Sequence, residues 1–225
     1  MWYRSLLVFV FIMMLAQGVV AAGEVVKLPK PVLEGGMSVE QAIYERRSVR
    51  SFSAEGLSLN DVSQLLWAAG GQTVDGITGP TRAYASAGGI YPLDIYLVVG
   101  KVEIISPGIY RYDWKEHSLN MVAEGDKRQE LAEAAMGQSM IKNAPVTIVL
   151  TVEPQKVFSR YGDRGVSRYI SMDAGHLGQN VSLEAQSLGL GTVMVGAFMD
   201  KEVMKVMDLK KEMPIYIIPV GHAGE

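Results

Sequence analysis

The chain has 225 residues, 48% of them hydrophobic and 20% charged, which fits one globular domain with a sizeable core and excludes a disordered chain. Its 21 basic and 24 acidic residues leave a net charge of -3, so no broad cationic surface is available to a nucleic-acid backbone, and nucleic acid is not expected as a partner. Cysteine is absent, which removes disulfides, thiolate metal centres, iron-sulfur clusters and cysteine nucleophiles together, so any redox chemistry must be borrowed from a cofactor.

Residues 1–22 differ in kind from the rest. Arg4 is the only charge, Leu6 to Ala16 is an apolar run, and Gln17 to Ala22 is small and weakly polar. This is the layout of a secretory signal peptide, with small residues at Val20, Ala21 and Ala22 for cleavage before Gly23. It predicts a periplasmic or extracellular protein. The alternative is an uncleaved N-terminal anchor through residues 5–22, the one arrangement in which the chain would contact a membrane. A lipoprotein needs a cysteine, and a lone Arg4 does not make a twin-arginine signal. Residues 23–36, with prolines, glycines and no usable period, read as a linker or extended arm, and residues 37–225 as the folded domain.

Within the domain, Ser38 caps a predicted helix that ends around Arg46 to Ser48, and a second helix runs from Ser58 to Ala69 with Val62, Leu65, Leu66 and Ala69 on one stripe. Leu93 to Val99 is a predicted strand. Residues 108–125 alternate like a hairpin with its turn at Lys115 to His117. Asp126 to Ser139 reads as a helix, and Ala144 to Val152 as a strand buried on both faces. A long helix is predicted over Gly165 to Leu188, a short strand over Val193 to Val195, a helix over Asp200 to Met207 and a last strand over Ile215 to Val220. Helices and strands mix without strict alternation, which favours an α+β sandwich over a doubly wound sheet.

Three stretches carry residues that packing alone does not require. In "ERRSVRSF", Arg46, Arg47, Ser48 and Arg50 crowd together as a helix runs out. Guanidiniums beside a hydroxyl suit a phosphate dianion, although a solvated basic helix end is the plainer reading. In "YASAGGIYP", Ser86, Gly88 and Gly89 permit positive φ or the close approach of a flat ligand, or simply a tight turn before a strand. In "GLGTVMVGAF", residues 189–198, the glycines follow a helix and enter a strand. A dinucleotide fingerprint needs the reverse order, which rules out a Rossmann site. Gly189 reads as a helix C-cap and Gly196 as a place where main-chain N–H groups face a ligand. Asp173 and His176 share a helix face but lack a third ligand, so no metal site is expected. Ser86 lacks a nucleophile elbow and an evident histidine base, which argues against a hydrolase.

Together, "RRSVRSF" at 46–52, "SAGGIYPLDIYLV" at 86–98, "DAGHLGQNVSLEAQSLGLGTVMVGAF" at 173–198 and "PVGH" at 219–222 resemble the FMN-dependent nitroreductase superfamily. The loop and the DAGH helix look most like its azoline-oxidising branch, the streptolysin-type maturation dehydrogenases. Azoline-processing members carry a Lys-Tyr pair, which is not placed in this sequence. The resemblance implies a nitroreductase-like α/β sandwich with a mixed, mainly antiparallel central sheet surrounded by helices, and a homodimer with FMN at the subunit interface.

On this resemblance Arg46, Arg47 and Arg50 hold the FMN phosphate, and Ser48 binds phosphate or ribityl oxygen. Ser86, Gly88 and Gly89 lie against the isoalloxazine ring. Met194, Val195 and Gly196 present N–H groups near flavin N5, supported by Gly189, Leu190 and Gly191, with Leu190 packing on the ring. Many relatives place Lys or Arg after PVG, where this sequence has His222. Tyr84, Tyr91, Tyr161, Arg164 and Arg168 are candidate pocket residues, and no catalytic residue is assigned. The implied function is an FMN oxidoreductase working in two half-reactions, with hydride passing through N5 to or from a small conjugated, nitroaromatic or quinone-like substrate. Its electron donor would be NAD(P)H or, in an exported protein, another reductant. The alternative is a non-catalytic binding module of the same fold at the cell envelope.

Overall fold

The computed structural model describes residues 25–76 and 79–224, so the predicted export segment lies outside the described residues. In chain order the strands are β1 Val25–Lys27, β2 Gln72–Gly76, β3 Gly79–Arg82, β4 Leu93–Val99, β5 Gly108–Asp113, β6 Ser118–Glu124, β7 Val146–Val152, β8 Gly191–Thr192 and β9 Met213–Gly221. The helices are α1 Val39–Glu45, α2 Leu59–Gly70, α3 Arg128–Ala134, α4 Ser139–Asn143, α5 Pro154–Arg164, α6 Ile170–Ser187 and α7 Asp200–Val206. Seven strands form one sheet in the order β1-β6-β5-β4-β7-β9-β8. Its ladders are antiparallel, and an isolated parallel bridge from Ser48 to Thr192 makes it mixed. This is the predicted α+β sandwich.

The period-2 alternation of strand side chains sorts β4 and β7 onto two cores. Leu93, Ile95, Leu97 and Val99, with Val146, Ile148, Leu150 and Val152, pack beneath α2 and α6. Tyr96, Val98 and Val149 face the opposite way, toward Leu131 of α3, Ile141 of α4 and Val203 of α7. Both faces are covered, so these strands read as continuous apolar runs although their pairing is antiparallel. Helix starts follow their caps. Ser38 Oγ accepts from the Gln41 N–H at 3.1 Å, and Ser58 and Asp61 form a reciprocal capping box at the start of α2.

Several boundaries differ from the sequence reading. The single helix expected over 126–139 is two, because Met136 and Gly137 adopt φ of 61° and 73° and the Gly137 N–H closes on the Ala132 carbonyl. The helix expected from Gly165 is preceded by α5 and joined to α6 through a π-turn over Gly165–Tyr169. The short strand lies at Gly191–Thr192 rather than 193–195, where only Val195 bridges to Ile217. The β2–β3 hairpin had no apolar alternation to announce it.

Part of the stretch read as a linker or arm is anchored. β1 pairs with β6, Leu28 is buried, and the Gln64 side-chain amide clasps both main-chain groups of Val32 at 2.9 Å. His117 closes the strap. Its Nδ1 lies 2.7 Å from the Tyr112 hydroxyl, and its Nε2 lies 2.7 Å from Ser63 Oγ and 2.9 Å from the Pro29 carbonyl. A carbonyl can only accept, so Nε2 carries a hydrogen, and in the neutral imidazole that burial favours Nδ1 accepts from the Tyr112 hydroxyl. Burial holds its pKa below the ordinary 6.5. A depressed histidine pKa means the fold prefers the neutral form, so this contribution is complete above pH 6.5 and fades as pH falls through the folded-state pKa. Denaturant midpoints of the full chain should therefore fall between about pH 6.5 and 5, and a His117→Gln variant should flatten that slope. An unchanged slope would remove His117 as its source.

Candidate functional site

α1 ends because Arg46 leaves helical geometry, at φ -58° and ψ 133°. The chain then runs extended into the sheet margin. The Val49 N–H donates to the Thr192 carbonyl at 3.0 Å, the Ser53 N–H to His222 at 3.0 Å, and the Gly224 N–H to Ser51 at 2.9 Å. Main-chain bonds thus hold residues 48–53 between β8 and the residues after β9 without drawing on the Arg47 or Arg50 side chains. Gly191 makes the approach possible, since a Cβ there would meet the Val49 side chain at 2.6 Å. A cavity of about 380 Å³ opens beside this seam, with Arg47, Val49, Gly189 and Gly191 in its lining together with Glu45, whose carboxylate accepts from Gln186 at 3.2 Å.

Arg47, Ser48 and Arg50 are exposed and Arg46 is half-buried. None of the three guanidiniums forms an ion pair or side-chain hydrogen bond among the described residues. His222 is directed elsewhere, with its Nε2 3.8 Å from a Glu55 carboxylate oxygen.

The glycine loop is built at the other end of α6. Ser86 Oγ donates to Asp173 Oδ2 at 2.6 Å and accepts from the Tyr91 N–H at 2.9 Å, while the Ala87 N–H reaches Asp173 Oδ1 at 3.3 Å. His176 Nδ1 lies 2.9 Å from the Ala85 carbonyl and donates to it. The Ser86 hydroxyl is therefore spent on shaping the loop. Gly88 and Gly89 form a 3-10 turn with φ of 59° and 65°, and both are exposed. A methyl group at Gly88 would overlap the Tyr161 hydroxyl. Arg160 also donates to the Gly88 carbonyl at 3.3 Å and sits 5.6 Å from the centre of the Tyr161 ring.

The third stretch follows α6. Gly189, at φ 70°, ends that helix while the Leu190 N–H returns to the Ala185 carbonyl at 2.7 Å. Leu190 is 5% exposed and belongs to the larger core, so it braces the cavity from beneath. Of the three N–H groups expected to face a ligand, that of Val195 is committed to the Ile217 carbonyl at 2.9 Å. Its place as a donor is corrected to that of a strut. The Met194 and Gly196 N–H groups have no acceptor among the described residues, and Gly196 is exposed.

Asp173 and His176, for which the sequence predicts no metal role, are the supports of the glycine loop. Arg160 was not singled out at all. The one local mark in the Arg-Tyr-Gly run at 160–162 is Gly162, whose φ of 58° breaks the helix just after the pair. Of the other pocket candidates, Tyr84 and Tyr91 stack edge to face at 5.4 Å, whereas Arg164 and Arg168 point to solvent. Burial raises the Tyr84 pKa well above the ordinary tyrosine range, so it stays a neutral phenol.

A profile of the nitroreductase family matches residues 43–222, which hold all three stretches. The chain belongs to the nitroreductase family. A Methanocaldococcus jannaschii family protein, MJ1384, is 38% identical over 203 residues, covering 90% of this chain and all of that one. The trifolitoxin operon protein TfxC of Rhizobium leguminosarum bv. trifolii is 25% identical, covering 88% of this chain and 60% of its own length. A nitroreductase structure from Ralstonia eutropha superposes with a TM-score of 0.78 at 28% identity, covering 92% and 93% of the two chains. The Escherichia coli microcin synthetase McbBCD, in a complex with truncated pro-MccB17, shares the fold with a TM-score of 0.68 at 23% identity, covering 88% and 79%.

The loop depends on one buried carboxylate. Asp173→Ala should cost about 1–3 kcal/mol, because it strands the Ser86 hydroxyl and the Ala87 N–H, and the loss should appear as a lower urea midpoint. An unchanged midpoint would show that the loop holds its shape without Asp173.

Proposed function

We propose that this nitroreductase-family protein is an FMN-dependent oxidoreductase acting on a small conjugated, nitroaromatic or quinone-like substrate. The observation that carries the reading is the seam beside β8. Three guanidiniums without partners among the described residues follow α1 along a main-chain ladder, Arg47 among them lining a cavity with Gly189 and Gly191, and the Met194 and Gly196 N–H groups without acceptors follow on the connection after those glycines.

The residues present fit the cofactor. Arg46, Arg47 and Arg50 would hold the phosphate by charge-assisted bonds, with Ser48 adding a neutral one. Met194 and Gly196 would offer N–H groups to the polar edge of the ring, fixed in place by the Val195 bridge to Ile217. Gly88 and Gly89 would leave room at the ring face, where Tyr161 stands as a neighbouring hydroxyl. When bound, FMN supplies two-electron hydride chemistry that no side chain of a cysteine-free protein provides. The protein's share is to orient substrate, exclude water and hold the donors still.

The arrangement also favours a homodimer. Asp173, which holds the glycine loop, and Gln186, beside the arginine seam, are separated by roughly 20 Å along α6 at 1.5 Å per residue. Each chain therefore carries two half-sites. α1 exposes Val39, Ile43 and Tyr44, the last 90% accessible, a patch that a second copy would cover. On this reading residues 1–22 direct export, and the donor is NAD(P)H or an envelope reductant.

The test is a redox cycle. Full-length protein mixed with FMN should bleach under anaerobic reductant and recover its yellow spectrum on adding a quinone or a nitroaromatic, faster than free reduced FMN does. Failure of the folded protein to retain FMN, or reoxidation no faster than that of free flavin with either acceptor, would contradict the proposal.

A further inference from the structure

A second cavity, of about 500 Å³, lies between β3, the start of β4 and the β5–β6 turn. No residue of 46–50 or 189–196 lines it, and it meets the glycine loop along Gly89 to Pro92. We propose that this cavity is a separate binding site for a small aromatic carboxylate, with the Arg82 guanidinium as its anchor. The inference does not depend on the FMN reading.

Arg82 is 7% exposed. Of its five N–H hydrogens, Nε gives one to the Gly70 carbonyl at 2.6 Å and Nη1 one to the Leu93 carbonyl at 3.3 Å. Both acceptors are neutral, and Arg82 enters no ion pair among the described residues. The remaining hydrogens have no acceptor there. A buried cation in this state is costly, and burial draws its pKa below the ordinary arginine value. The rings of Tyr84, Tyr91 and Trp114, centred 5.2, 5.9 and 5.4 Å from the guanidinium carbon, offset part of that cost. They supply no counter-charge. An anion entering the cavity would.

The other walls set the class of anion. Lys115 and Lys156 also line the cavity, so three cations face it. The one acidic lining residue, Asp94, is already engaged by Arg111 at 2.7 Å and Lys156 at 3.5 Å. A volume in the range of small-molecule sites exceeds what a bare inorganic anion needs. Tyr91, Tyr112 and Trp114 present ring surface, which suits a flat aryl group behind a planar carboxylate that the guanidinium fork can grip.

The probe is 4-fluorobenzoate, followed by fluorine NMR line broadening on the full chain with FMN present in excess. Saturable broadening is expected, weakened by added salt. The neutral isostere 4-fluorobenzyl alcohol should bind at least about tenfold more weakly, the factor for losing one charge-assisted contact. Arg82→Lys keeps the charge but loses the fork and should abolish the effect. Because that buried substitution threatens folding, the exposed pair Lys115→Ala with Lys156→Ala serves as the second variant and should weaken binding several-fold. Equal binding of the alcohol, no saturable binding in the presence of FMN, or a folded double-lysine variant that binds like the parent would overturn the proposal. Failure of the FMN reading would appear in the flavin spectrum and leave this titration unaffected.

Discussion

The main-chain bond from the Val49 N–H to the Thr192 carbonyl is the constraint on which the proposed cofactor site depends. It docks the residues after α1 onto the sheet through backbone groups, so the guanidiniums on either side need not serve as structural anchors. Side-chain anchoring would have neutralised the charge that a phosphate requires. Gly191 is the geometric condition for this bond, because a side chain there would collide with Val49. Thr192 is fixed in turn by its own hydroxyl, which donates to the Pro219 carbonyl at 2.8 Å. The arginine stretch is thereby registered to β9, whose Ile217, Ile218 and Val220 are fully buried.

α6 joins the two halves of the site. One end carries Asp173 and His176, which hold the glycine loop, and the other ends at Gly189 beside the arginines. The middle of the helix carries Gly178, where a Cβ would come within 3.0 Å of the Met194 sulfur, so the connection bearing the Met194 and Gly196 N–H groups runs close alongside. A rigid helix packed into the larger core makes a stable ruler for residues far apart in sequence. Burial of Asp173 and its use by two donors keep the loop in a left-handed turn that would otherwise be strained at Tyr91, where φ is 50°.

Much of this was legible from residue patterns. The apolar runs at 93–99 and 144–152, the serine cap at 38 and the apolar stripe from Val62 to Ala69 mark strands and helices through local rules of burial and capping. The three stretches carried the family resemblance. What could not be read was whatever depends on non-local pairing. The roles of Asp173 and Ser86 emerge only when residues 87 apart in sequence meet, and the loss of the Val195 N–H to a sheet bridge needs knowledge of where β9 lies. The strap formed by residues 25–32 was hidden because a three-residue strand has no period to detect. Arg82 was hidden for a different reason: a lone arginine after a polar, glycine-rich hairpin gives no sign that it will be buried among aromatic rings.

The central claim is that the arginines beside β8 are held ready for a phosphate, and an equilibrium titration of FMN tests it most directly. The parent and an Arg46→Ala, Arg50→Ala double variant should be compared by flavin fluorescence, with circular dichroism confirming that both are folded. The account predicts saturable binding by the parent and a loss of at least about tenfold in the variant, since two charge-assisted contacts are removed. Equal affinity in the two folded proteins would contradict it and place any flavin elsewhere on the molecule.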